Sequence, residues 1–442
     1  MSTTKIPALL ACMRAPGERP PFDVVGGEGA TLRLSDGREV IDAGSISASI
    51  LGHRHPALVE AIRGAADAPY VSDGFGDPAR TQAAEDLLGI AFADEADWVG
   101  VVRFFTSASE ANDMALLLAR TVTGRTPLVS RQLAYHGAVG LAREASNHPL
   151  WNGGLARAAG GWQNPPDTDA GWRILPAPAD DVGEPRPADA PPDPSLAAAP
   201  ALLEGAAALI TDYGSSGTFF PSAQYHDRLV GAAHEAGALW ISDEAVTGLG
   251  RLGRSFAFQH CSEQPDIVTL GKGLTGGAAP GGAVVLSRDF VERLGDRRWM
   301  TYSTFRGHPT TVAAISATVR TIRDEGLIER AARVGERFGR DLRAMAAAHP
   351  CVRRVAGEGL LWAIELEGDP LHESARWHGD GEATPLSEVV TGHALANGAL
   401  MSAYSGHVVW LVPPLVIEEA ALARVVEILD GALGAADRAA DA

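Results

Sequence analysis

Lys272 stands inside the stretch SFAFQHCSEQPDIVTLGKGLTGGAAPGG, residues 255–282, at the end of an apolar run and within a cluster of glycines. A cation in that setting can be a solvated loop lysine, a phosphate-cradling lysine or a nucleophilic amine. The phosphate-loop pattern needs GxxxxGK followed by Ser or Thr, and Lys272 is followed by Gly273, so that reading is weak. A second charge weighs against plain solvation. The run ALWIS ends at Asp243, itself followed by Glu244, and DIVTLG ends at Lys272. Both charges therefore lie just past the carboxyl ends of expected strands, where open α/β sheets build their ligand crevice. An acid and an amine converging there fit pyridoxal 5'-phosphate. The amine forms the Schiff base, and the carboxylate keeps the pyridine nitrogen protonated so that the ring accepts electrons.

A phosphate needs a seat, and FFTSASEAND offers one: a strand end, the hydroxyl residues Ser107 and Ser109, then a helix start whose free N–H groups face an anion. A plain helix cap, with Glu110 in the first turn, would use the same residues. Tyr135, in AYHGAVG, could stack on the ring or serve as a core tyrosine.

The elements that must position these groups alternate. VVRFF, TPLVSR, AALITDY, GALWISD, PDIVTLG and PGGAVVLS read as strands, several separated by helices such as SAQYHDRLVGAAHEAG, which implies a mostly parallel sheet covered on both faces. GATLRLSDGREVIDAG reads as an N-terminal hairpin turning at Asp36-Gly37. Residues 176–200, rich in proline, alanine and acid, are expected to form a surface or partly disordered loop. A helix is expected from about Pro309 to about Ala347, then a strand in GLLWAIELE and a small α/β region.

The 442 residues exceed one small core and divide into an N-terminal segment (1–60) packing with the smaller domain, a large cofactor-binding domain (61–310) and a C-terminal small domain (311–442). Net charge is −18, from 37 basic and 55 acidic residues, which argues against nucleic acid and anionic membranes as partners. Cys12, Cys261 and Cys351 form no disulfide framework or metal pair, and no apolar run approaches a membrane span or signal peptide, so a cytoplasmic protein is expected.

The segment SDEAVTGLGRLGRSFAFQHCSEQPDIVTLGKGLTGG is similar to the signature of the class III pyridoxal-phosphate aminotransferases, which include ornithine, 4-aminobutyrate and omega-amino-acid transaminases and glutamate-1-semialdehyde aminomutase. The resemblance extends to SASEAN, YHG, LGHRHP, TFRGHPTTVAA and VPPLVIEEA. It implies an aspartate aminotransferase-like α/β fold with a large and a smaller domain. It also implies that Asp243 contacts the pyridine nitrogen and that Lys272 carries the cofactor and shuttles the proton. Ser107, Ala108 and Ser109 surround the phosphate, Val246 packs under the ring opposite Tyr135, and His136 of the YHG motif joins the cofactor-binding set. Thr304 reaches the phosphate in the other subunit, making a homodimer with shared sites. Arg251 and Arg254 are read as structural, and His53, His55, His136 and His308 as hydrogen-bonding residues and not metal ligands.

The chain departs from that pattern. An arginine usually stands before the Pro-Pro of the C-terminal motif, and here Trp410 occupies its place; a glutamate often pairs with that arginine, and here Ser215 lies near its position. Losing both together is coherent, since either alone would be a buried unpaired charge. Arg306, in TFRGHP, is then a substitute for meeting a substrate carboxylate, or the partner of an interface carboxylate. Trp151, Trp162 and Trp172 either close over the pocket as a lid or pack beneath the proline-rich loop. The reading is an aminotransferase moving an amino group between a small-molecule donor and a carbonyl acceptor, with a specialised, bulky substrate. Decarboxylation, racemisation, aminomutation or carbon–carbon bond formation on the same cofactor is the alternative.

Overall fold

A computed structural model describes residues 22–44, 47–148, 151, 153, 155–156, 162–163, 171–179, 191–214, 220–367, 384–405 and 407–440. Its centre is a seven-stranded sheet built from β1 (Val99–Phe105), β2 (Leu128–Arg131), β3 (Trp172–Leu175), β4 (Ala208–Thr211), β5 (Leu239–Asp243), β6 (Ile267–Leu270) and β7 (Gly282–Ser287), in the spatial order β1-β7-β6-β5-β4-β2-β3. The pairs β3–β2, β2–β4, β4–β5 and β5–β6 are parallel, and β7 runs antiparallel to both β6 and β1. Strands β2, β4, β5, β6 and β7 are buried at every position, as expected of near-continuous apolar runs covered on both faces. Their polar backbone is satisfied only by neighbouring strands, so the functional groups collect where the strands end.

The N-terminal hairpin forms as expected, with Thr31–Leu34 pairing to Glu39–Asp42 and Gly37 in the left-handed region at φ 90°. Its last strand also pairs in parallel with Ala399–Leu400, joining the two ends of the described chain. A second, antiparallel sheet holds Val352–Glu358, Leu361–Leu366, Val408–Leu411 and Ser402–Ser405, in that order. Among the described residues no helix is long and apolar enough to cross a membrane.

Two expectations about elements fail. The single helix from 309 to 347 is two helices, Pro309–Asp324 and Leu327–Ala346, broken at Gly326, whose φ of 59° no helix interior accepts. The proline-rich stretch is not loop throughout. Pro194–Leu203 is a helix capped by the Asp193 carboxylate, which accepts from the Ser195 and Leu196 N–H groups, with Pro194 at the first turn where no N–H is needed.

Candidate active site

The carboxyl ends of β1, β5 and β6 and the loop after β2 enclose a cleft of about 560 Å³, lined by Ser107, Ala108, Ser109, Tyr135, His136, Asp243 and Lys272 among others. β1 leads through Thr106 into the helix Ala108–Thr123, whose N-cap Ser107 accepts from Glu110 N. Glu110 turns back to accept from Thr106 N at 2.8 Å and Thr106 Oγ1 at 2.5 Å, which fixes the approach to the helix. Two glycines let this terminus sit against the neighbouring strands. A Cβ on Gly271 would stand 2.5 Å from Ala108 Cβ, and one on Gly282 would stand 2.2 Å from Ser107 O. Only backbone without a side chain permits that approach.

Asp243 closes β5, 5% exposed. Its Oδ2 accepts from Asn112 Nδ2 at 2.7 Å and faces His136 Nδ1 at 2.9 Å, so the imidazole carries its proton on Nδ1; Oδ1 accepts from Ala245 N at 3.1 Å. The Nε2 of His136 is buried with no partner. Glu244, the second carboxylate of the pair, is structural. Its oxygens accept from Thr247 Oγ1 and from the Ala257 and Phe258 N–H groups, and burial raises its pKa against those bonds.

Lys272 follows β6 in a left-handed conformation, φ 43°, a strained setting for a side-chain-bearing residue that serves to aim it. Burial lowers the pKa of its ammonium, opposed by the carboxylates of Asp243 and Asp212. The result is an amine more readily deprotonated than an exposed lysine.

The cleft thus offers a buried amine, a carboxylate held by several donors, and a helix start whose first N–H groups no helical carbonyl can reach. That donor set fits pyridoxal phosphate, with the amine for the carbonyl carbon, the acid for the ring nitrogen and the helix start for the phosphate. Tyr135 lies on the wall, its ring edge-on to Trp151 at 6.4 Å between centroids.

Several expected positions fall elsewhere. Ala245 lines the cleft where Val246 was expected; Val246 packs with Phe220, Leu252 and Trp410 in an apolar cluster. The turn after Asp243 presents the second residue on, not the third. Trp410, 4% exposed in that cluster, is not among the residues that line this cleft. Arg306 is buried, with Nε 2.5 Å from Asp73 Oδ2 and its guanidinium over the Tyr302 ring at 5.5 Å, so it is paired with a carboxylate of its own chain. Thr304 lies in the exposed loop beside it and is not among the residues that line this cleft. Trp172 sits in the edge strand β3 and packs on the core, which removes it from a lid. Ser215 lies outside the described residues, and of the Trp162 side chain nothing is described. His53 pairs with Asp42 at 2.7 Å, His55 with Glu325 at 3.2 Å and His308 with Thr310 at 2.8 Å, all hydrogen-bonding roles. Arg251 is structural, donating to the carbonyls of Leu360 and Pro413. The residue that the sequence reading missed is Asn112. It stands in the quoted SASEAN motif, but nothing in its type distinguishes it from a surface asparagine.

The aminotransferase class-III family profile matches residues 13–149 and 201–433. Acetylornithine aminotransferase of Mycobacterium bovis is 35% identical over 94% of each chain, and that of Streptomyces coelicolor is 34% identical over 96% of this chain and 92% of its own length. Among solved structures, an S-selective transaminase from Arthrobacter sp. superposes with a TM-score of 0.90 at 27% identity, covering 97% of this chain and 95% of that one. The cleft between β1, β5 and β6 therefore lies in a pyridoxal phosphate-dependent transferase, and the chain belongs to the class III aminotransferases.

Proposed function

We propose that this aminotransferase serves a bulky amine or carbonyl substrate with no α-carboxylate in need of the arginine that position 410 lacks. The observation that carries the reading is the cluster of Phe220, Leu252, Ala257, Val408, Trp410 and Val412, which is apolar where the family pattern has an arginine. A substrate carboxylate that relied on that arginine is left without a partner, and a desolvated unpaired ion costs several kcal/mol. Arg306 cannot compensate while Asp73 holds it.

Pyridoxal phosphate, when bound, supplies the ring that takes up the electrons released at the substrate carbon. In this reading Asp243 faces the ring nitrogen, Lys272 is the attachment point and moves the proton through its Nζ, and Ser107, Ala108 and Ser109 receive the phosphate. Tyr135 and Ala245 stand on the wall that would contact the ring, and His136 holds the far side of the Asp243 carboxylate.

Thr304 reads as a contribution to a second copy's site. Support comes from the large apolar side chains exposed around it, Phe75, Met300, Tyr302 and Phe305. Such a patch is costly on a monomer and fits coverage by another chain.

The relatives' name favours a second reading, N-acetylornithine as the amino donor. One experiment separates them: turnover of a panel of aryl amines, amino sugars, N-acetylornithine, ornithine and 4-aminobutyrate, with products identified by mass spectrometry. The first reading expects kcat/KM for a bulky amine to exceed that for each of the three carboxylates. Efficient N-acetylornithine turnover with poor amine turnover would establish the second. Loss of carbon dioxide or racemisation without an amino product would overturn both.

A further inference from the structure

Asn112 lies one turn into the helix that starts at the phosphate seat, with its side chain wholly buried. Nδ2 donates to Asp243 Oδ2 at 2.7 Å and to the His136 carbonyl oxygen at 2.7 Å, while Oδ1 accepts from Thr269 Oγ1 at 2.5 Å. The amide can stand only this way round, because reversing it would set its oxygen against a carboxylate and a carbonyl. Thr269, itself fully buried on β6, is paired in register with Asp243 on β5. Three elements that converge on the cleft thus meet at one amide group: the helix after β1, the YHG loop after β2, and the β5–β6 pair.

We propose that Asn112 is a positioning residue for the contact between Asp243 and the cofactor's ring nitrogen. It fixes the plane of the Asp243 carboxylate, and with Thr269 as its own anchor it holds that carboxylate where it can keep a proton on the ring. The inference rests on the reading that Asp243 faces the ring nitrogen. Hydrogen bonds to an ionised carboxylate are about twice as strong as neutral ones, and one that is also braced by a second hydroxyl is costly to rearrange. His136, the other side-chain donor, reaches the same oxygen, so losing Asn112 leaves a single side chain to orient the group. A packing role alone would give a different signature: lower stability with an unchanged ring-nitrogen titration.

The test uses holoenzyme loaded with pyridoxal phosphate labelled with 15N at the ring nitrogen, and follows that nitrogen's chemical shift against pH. In Asn112→Leu, which keeps bulk but no donor, the ring should lose its proton at a pH lower by about one unit or more, a tenfold weaker hold. The value of kcat should fall about tenfold with KM little changed. Thr269→Val, which removes only the hydroxyl that braces Asn112, should shift the titration the same way by less, and Thr269→Ser should restore it. A wild-type titration in Asn112→Leu would overturn the inference. If Asn112→Leu does not fold, the Thr269 pair decides alone. Asp243→Ala separates the two levels. If its ring nitrogen stays protonated as in wild type, the reading of Asp243 itself fails. If it loses the proton while Asn112→Leu does not, only the role of Asn112 fails.

Discussion

The cleft wall at Asp243 and the wall around Trp410 are built on opposite principles. The first is a polar knot inside the fold: Asp243, Asn112, His136 and Thr269 are buried and hydrogen-bonded to one another across strands and a helix. The second is an apolar pack, with Trp410 flanked on its sheet by Ala363 and Ser402 and surrounded by Phe220, Leu252 and Val412. The polar knot tolerates little change, because each group left unpaired in a low-dielectric interior carries its full desolvation cost. The apolar wall can change residue by residue so long as volume is kept.

Three substitutions probe this contrast, from the largest effect to the smallest. Lys272→Ala should lower kcat by about 10⁴-fold or more, because one group supplies both the attachment and the proton transfer; single-turnover kinetics on holoenzyme would measure it, and a loss under tenfold would remove Lys272 from the reaction. Asp243→Ala should cost roughly 10²–10³ in kcat with cofactor still bound, read by steady-state kinetics beside an absorbance titration of the cofactor. Trp410→Arg tests the other wall. A cation placed in that cluster without a partner should destabilise the fold by about 3–5 kcal/mol, visible in chemical denaturation. A variant as stable as wild type would contradict the packing of this cluster as an apolar unit with no partner for a cation.

How much of this the sequence disclosed follows the same division. The places of Asp243 and Lys272 at strand ends facing one cleft were legible because strand ends in a parallel sheet are fixed by apolar runs. The helix start at Ser107 was legible from small hydroxyl residues following a strand. Ala245 and Val246 were transposed because a one-residue choice at a turn depends on its dihedral angles, which residue types do not encode. Arg306 found Asp73, more than 200 positions away, through tertiary packing alone. The break at Gly326 lies in an otherwise uninterrupted helical pattern and is set by one left-handed glycine.

A smaller effect lies at the amino ends of β5 and β6, away from the cleft at their carboxyl ends. His234 is held by Asp266 and Glu263, and its hydrogen bond to Asp266 raises its pKa above the ordinary value. A raised histidine contributes stability that is complete below its unfolded pKa and is lost as pH rises through the folded one. The thermal midpoint of His234→Gln should therefore fall below wild type at pH 6 and match it at pH 9. The gap is that of a partly exposed pair, about 0–1 kcal/mol. An equal deficit at both pH values would mean that packing, not charge, is lost.

The chain has two lysines, Lys5 and Lys272, and this makes the central claim unusually easy to test. Borohydride reduction of the holoenzyme, followed by proteolysis and mass spectrometry, should place the cofactor's added mass on the peptide containing Lys272, at close to one equivalent per chain. Label on the Lys5 peptide, or cofactor recovered unattached from reduced and fully active protein, would contradict the account.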